Sequence, residues 1–224
     1  RTDATDGRHP FPTPSAFAGA MSRLGIGNNS YVVAYDDTGG MTASRLVVML
    51  RMLGCKASVL DGGIHAWQRA NDQPLASGKP TTVKAASFTT AEWPADQIVT
   101  KQELESIVAE GAINSRRVLL DARSGDRFQG IVTEATAKLD PRPGHIPGAF
   151  SAPWNAVIDS DSSSFKSVEE LQSHYESLCV DLADEVITYC GSGISACANI
   201  VALEHAGFST PRLFVASWSG WSSD

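Results

Sequence analysis

Val186-Ile187-Thr188-Tyr189-Cys190-Gly191-Ser192-Gly193-Ile194-Ser195-Ala196 is the stretch that decides how this chain is read. A short apolar run ends on a tyrosine, and a cysteine follows at once. A small loop with two glycines then leads into a helix pattern that continues to His205. The run predicts a buried strand, and the spacing behind it predicts a helix. A cysteine at that junction sits where backbone N–H groups converge and where the helix presents its positive end. Both features favour the thiolate, which is the nucleophilic form. The loop therefore predicts sulfur or phosphate chemistry at Cys190. A phosphatase of the Cys-x5-Arg type needs an arginine six positions after the cysteine. That position is Ala196, which argues against phosphate.

Working outward, the same order of elements occurs twice. In the first half a strand pattern at Tyr31–Tyr35 is followed by Asp36, a glycine-containing loop and a helix pattern from Ser44 to Leu53 that stops at Gly54. A strand at Ala57–Leu60 and the turn Asp61-Gly62-Gly63 then lead to Trp67. In the second half, Val186–Tyr189, the Cys190 loop, a helix, Gly207, a strand at Arg212–Val215 and Trp221 repeat that order. Tyr35 pairs with Tyr189 in this alignment, and Asp36 takes the place of Cys190. One half carries a thiol where its sister carries a carboxylate.

The second half also has an opening section: a helix pattern near Lys101–Glu110, the strand Val118-Leu119-Leu120, then Asp121-Ala122-Arg123. Gly144-His145-Ile146-Pro147-Gly148-Ala149, Trp154 and a helix near Val168–Leu178 follow. The first half lacks a counterpart, so the chain is expected to begin inside its first domain. Strands alternating with helices predict an α/β fold with largely parallel sheets. The expected division is residues 1–75 for the later part of a first, non-catalytic domain, 76–96 for a connector, and 97–224 for a second, catalytic domain. Trp93 is expected to anchor the connector.

The chain has 224 residues, 42% of them hydrophobic, enough to fill real cores. Its net charge of −7 argues against a nucleic-acid partner but leaves room for a small anion held by local arginines. Four scattered cysteines, none in a C-x-x-C pair, predict no metal site and suit a reducing compartment, cytosol or mitochondrion. No apolar run approaches the roughly 20 residues a membrane span needs, so no membrane partner is expected. The pattern calls for no cofactor, and it leaves the oligomeric state open.

Asp121-Ala122-Arg123, Arg127-Phe128, Gly144–Ala149, the Cys190–Ala196 loop and Asp61-Gly62-Gly63 with Trp67 together resemble the tandem-domain rhodanese family. The likeness covers nearly the whole chain. It implies two rhodanese-like domains, each with a parallel sheet flanked by helices, the first incomplete at its N-terminal side. The loop Cys190-Gly191-Ser192-Gly193 is similar to that of the 3-mercaptopyruvate sulfurtransferase branch. The thiosulfate-using branch typically carries basic residues after the cysteine, and a cationic loop suits a compact dianion. Thiosulfate sulfurtransferase and a non-catalytic binding module stay open as alternatives.

The resemblance implies a Cys190 persulfide, a small anionic sulfur donor, and a thiol acceptor such as thioredoxin or a small thiol. It implies donor contacts from the loop residues Gly191, Gly193, Ile194, Ser195 and Ala196, and from Arg127, with Arg142 the best match for a second arginine. It further implies that His9, from the first half, orients Ser192 for proton relay. Val215-Ala216 stand where the family usually shows Asp-Gly before Ser217-Trp218, and Gly220 stands where a glutamate is frequent. Bracing of the active loop is therefore expected to come from elsewhere. Asp121 and Arg123 are expected to form an internal ion pair. His145 is expected to satisfy backbone groups at a turn, and Cys197 to be core.

Overall fold

The structure, a computed structural model, describes residues 3–71, 75–79, 82–111, 113, 116–140 and 142–223. Pro141, part of the connector and both chain ends of the expected domains lie outside these residues. The first half contains α1 (Pro14–Arg23), β1 (Tyr31–Ala34), α2 (Ala43–Met52), β2 (Lys56–Val59) and α3 (Gly63–Asn71). The second half begins with α4 (Lys101–Ala109), β3 (Arg117–Asp121), α5 (Gly125–Gln129), α6 (Glu134–Leu139) and β4 (Phe150–Ser151). It continues with α7 (Val168–Ser177), β5 (Glu185–Tyr189), α8 (Ala196–His205), β6 (Arg212–Leu213) and α9 (Ser217–Trp221). Among the described residues no helix is long and apolar enough to cross a membrane.

Both sheets are parallel. β1 pairs with β2, and the larger sheet runs β4-β3-β5-β6. β3 and β5 lie in the middle of that sheet and are buried from their second residue onward. That is why they read as unbroken apolar runs rather than alternating ones. β6 is shorter than its apolar run suggests. Phe214 leaves the pairing, although its N–H still reaches the Thr188 carbonyl at 3.0 Å. Among the described residues β1 has a strand neighbour on one side only, and Tyr31 and Val33 are exposed.

The two halves share one core. α8 is buried from Ala196 through Leu203. A helix apolar on every side must be covered on every side. Its own sheet covers one face, and α2 covers another through a cluster that includes Val47, Val48, Leu50, Cys197, Ile200 and Val201. The connector packs against the first half. Phe88 and Trp93 meet Phe17 at 5.9 and 5.3 Å between ring centres, and the Trp93 indole N–H donates to the Pro12 carbonyl.

The carboxylate that replaces the thiol in the first half fills its own loop. Asp36 accepts backbone N–H bonds from Thr38, Gly40, Thr42 and Ala43, and a hydroxyl bond from Thr42. Burial alone would push its pKa up. The amide bonds from Ala43, Gly40 and Thr38 and the Thr42 hydroxyl outweigh burial and hold it at about 2. The first-half loop is thus an anion cradle occupied by a residue of the chain itself.

Asp121 and Arg123 form the expected buried pair, and the pair extends further. Arg123 Nε and Nη2 bond both Asp121 oxygens at 2.6–3.1 Å. Its Nη1 reaches Asp140 at 3.2 Å, and Nη2 also donates to the Gly144 carbonyl at 2.8 Å. The guanidinium lies 4.6 Å from the Trp218 ring centre.

Two outcomes test this packing. Arg123→Met keeps the stem but strands Asp121 and Asp140, and should cost about 3–5 kcal/mol in urea unfolding. A loss below about 1 kcal/mol would contradict the buried network. Asp36 has a depressed pKa, so its contribution is complete above its unfolded value near 3.9 and lost as pH falls towards 2. Asp36→Asn should therefore flatten the loss of stability between pH 4 and 2, by about 1 kcal/mol once partial exposure is discounted. Superimposable acid-unfolding curves would show that the cradle does not hold a charged Asp36.

Candidate active site

Cys190 is the first residue after β5 and is only 2% exposed. Its sulfur accepts the N–H of Gly193 at 3.1 Å and of Ser192 at 3.5 Å. Gly193 makes this turn possible. Its φ is +77°, and a Cβ there would run into the Val215 carbonyl. The loop carries its donors in the backbone, and α8 begins directly behind it with Ala196.

The brace of the loop is α9. Ser217 adopts φ +53°, accepts the Cys190 N–H at 3.1 Å and donates to the Phe214 carbonyl at 3.0 Å. The N–H groups of Trp218 and Ser219 donate to the carbonyls of Cys190 and Gly191 at 2.9 and 3.0 Å. A serine hydroxyl and two amides thus hold the loop without a carboxylate at this place. The small residues in the same place serve a second purpose. Gly7, at φ +78°, lies against the Ala216 backbone, and a Cβ on Gly220 would strike the Thr5 carbonyl. Residues 5–7 therefore lie in a groove that a side chain at 220 would close.

A cavity of about 450 Å³ opens over the thiol, between the halves. Cys190, Gly191, Ser192, Ile194 and Ser195 line it from the second half, and Arg8, His9, Met41 and Thr42 from the first. Arg127, Lys138 and Leu139 complete the wall. The structure thus brings Cys190, Ser192, His9 and Arg127 together around one space. No hydrogen bond joins His9 to Ser192. Burial lowers the His9 pKa, with Arg45 and Arg8 adding to the effect. Asp3 caps the first turn through the Thr5 N–H. Gly193 acts through its backbone, and Ala196 is fully buried at the start of α8, so neither lines the cavity.

The structure places Arg142 away from this cavity. It is exposed and does not line the cavity, and its carbonyl accepts the Trp218 indole N–H at 3.0 Å. The segment between Arg127 and the Gly144-His145 turn contains α6, which brings Lys138 to the cavity. Arg8 is the other cation that sequence reasoning missed. Its only signal was its place directly before His9.

Arg127 is held by Asp140 in a two-pronged pair, Nε–Oδ2 at 2.6 Å and Nη2–Oδ1 at 2.8 Å. Burial pushes Asp140 up, but Arg127 and then Arg123 outweigh it and keep the carboxyl below its ordinary range. Arg45, from α2, donates to the Gly193 carbonyl at 2.6 Å and to the His9 carbonyl at 2.7 Å, joining the halves beside the thiol. Cys197 donates to the same Gly193 carbonyl at 3.5 Å, and burial pushes its thiol up to about 12, so it stays a neutral core residue. His145 bonds the Phe128 carbonyl at 2.8 Å and stacks on the Phe128 ring, as a turn residue should. A second cavity of about 330 Å³ lies between Phe165, Val201 and Val59. It has no nucleophilic thiol, and its arginine, Arg51, is already paired with Glu204 at 2.5 Å.

Comparison with known proteins identifies the family of the fold. The family model of the rhodanese-like domain matches residues 4–70 and 100–224. A probable 3-mercaptopyruvate sulfurtransferase of Pseudomonas aeruginosa is 36% identical over 97% of this chain and 74% of its own length. A putative thiosulfate sulfurtransferase, SseB, of Mycobacterium tuberculosis is 33% identical over all of this chain and 75% of its own. The crystal structure of Tum1 protein from Saccharomyces cerevisiae superposes with a TM-score of 0.82 at 28% identity, covering 96% of this chain and 73% of that one. Two matched segments, one on each side of a connector, and relatives aligned along nearly the full sequence lead to one conclusion: the chain belongs to the rhodanese family, in its tandem-domain form.

Proposed function

We propose that this protein is a sulfurtransferase that takes sulfur from 3-mercaptopyruvate, holds it as a persulfide on Cys190, and passes it to a thiol acceptor. The observation that carries this reading is the Cys190 sulfur receiving two backbone N–H bonds at the floor of a cavity walled by cations. Amides aimed at sulfur stabilise negative charge there without a side-chain counter-ion. The relatives named for 3-mercaptopyruvate and thiosulfate chemistry support sulfur transfer as the reaction class.

In the proposed reaction the Cys190 thiolate attacks the donor sulfur and forms an S–S bond. The carbon–sulfur bond breaks, and its electron pair leaves on the pyruvate enolate. That enolate takes a proton from the Ser192 hydroxyl, and the Ser192 oxygen recovers one from solvent by relay through the His9 ring, which accepts at one nitrogen as it gives at the other. Arg127, its charge paired with Asp140, lines the cavity as a hydrogen-bond donor for the donor carboxylate. A small thiol or a thioredoxin-type protein then attacks the outer sulfur and restores Cys190.

Pyruvate release under steady-state conditions tests the assignment of roles. Cys190→Ser should abolish it. Ser192→Ala and His9→Asn should each lower kcat by about a hundredfold, the scale of a lost general acid–base group. Undiminished turnover in Cys190→Ser would end this reading. Full kcat in His9→Asn would remove His9 from the proton path.

A further inference from the structure

The neutral sequence Gly191-Ser192 argues that the loop is unsuited to a dianion. The structure reverses that argument. The space where a side chain of residue 191 would lie is taken by guanidinium groups from elsewhere in the chain. A Cβ on Gly191 would collide with Arg127 Nη2 and would lie 3.0 Å from Arg8 Nη2. The charge that the loop lacks in sequence is therefore supplied in space.

The cations at this cavity differ in how their charge is balanced. Arg127 is neutralised by Asp140, and Lys138 is paired with Glu134 at 2.7 Å. Among the described residues Arg8 meets no carboxylate. Its Nη1 donates to the Leu139 carbonyl, a neutral group. It is also held in place by the backbone around it. Its N–H donates to Ser219 Oγ at 2.9 Å, and Gly7 before it lies against Ala216. Ser219 in turn donates its N–H to the Gly191 carbonyl at 3.0 Å, so Arg8 and the loop it overhangs share one brace.

We propose that Arg8 is a donor-binding and donor-selecting residue, which holds the anionic end of the sulfur donor above Gly191 and admits thiosulfate as well as 3-mercaptopyruvate. This rests on the sulfurtransferase reading of Cys190. With thiosulfate, the Cys190 thiolate attacks the outer sulfur and the sulfur–sulfur bond of the donor breaks. Sulfite leaves with the electron pair, and a persulfide anion stays on Cys190. Charge and atoms balance without a redox partner. Coulomb attraction scales with donor charge, so the free-energy loss on removing Arg8 should about double for a dianion, which squares the fold-change.

The test is the KM for each donor in the wild type, Arg8→Gln, Arg8→Lys and Arg142→Gln. Arg8→Gln should raise KM about tenfold for 3-mercaptopyruvate and about a hundredfold for thiosulfate, with kcat changed less than threefold. Arg8→Lys should recover most of both losses, and Arg142→Gln should leave both unchanged. KM values within twofold of wild type in Arg8→Gln, equal shifts for the two donors, or a wild type that takes sulfur from 3-mercaptopyruvate alone would each overturn the proposal. A wild type forming no Cys190 persulfide from either donor would instead remove the sulfurtransferase reading, and this proposal with it.

Discussion

The buried guanidinium of Arg123 is the interaction on which the site depends. It joins the end of a central strand, through Asp121, to the carboxylate that aims Arg127, through Asp140. It also lies over Trp218, whose N–H holds the Cys190 carbonyl. A charge this deep is tolerable only when every partner is in place, since removing one leaves the others buried and uncompensated. The same requirement fixes geometry. Asp140 has one position in which it can serve both arginines, and that position directs Arg127 at Gly191.

The two anion loops show how one backbone device serves opposite ends. After β1 the loop amides converge on Asp36 and are saturated by it. After β5 they converge on a sulfur that lies at the floor of a cavity. A carboxylate fills its cradle permanently, whereas a thiolate leaves room for a further atom. The first half instead contributes cover and cations: α2 packs on α8, Arg45 pins the Gly193 carbonyl, and the segment before α1 brings Arg8 and His9 to the cavity.

Much of this was legible in the sequence. Apolar runs at Val118–Leu120 and Val186–Tyr189 read directly as strands, and they stay apolar throughout because the sheet places both in its middle, covered on both faces. The repeated strand–loop–helix order exposed Asp36 as the sister of Cys190. The site was less legible wherever it depends on contacts distant along the chain. Arg142 drew attention as an arginine near the Gly144-His145 turn, but the intervening residues fold as α6 and present Lys138. Arg8 carried no signal beyond its place before His9, because its position depends on Gly7 and Thr5 fitting beside Ala216 and Gly220, some two hundred residues away. Those same small residues looked like a loss of bracing. Ser217, with its left-handed backbone, supplies the brace, and its hydroxyl bond to the Cys190 N–H is invisible to pattern reading.

The local sequence also misjudged the electrostatics. A loop with no charged residue is not an uncharged site when two guanidinium groups overhang it. The central claim remains chemical: the sulfur of Cys190 accepts a second sulfur atom. Intact-protein mass spectrometry after brief exposure to 3-mercaptopyruvate, without acceptor thiol, tests it most directly. The account predicts a gain of about 32 Da that maps to the peptide carrying Cys190 and disappears on adding a thiol. An unchanged mass on folded protein, or a gain that maps to Cys55, Cys179 or Cys197, would contradict it.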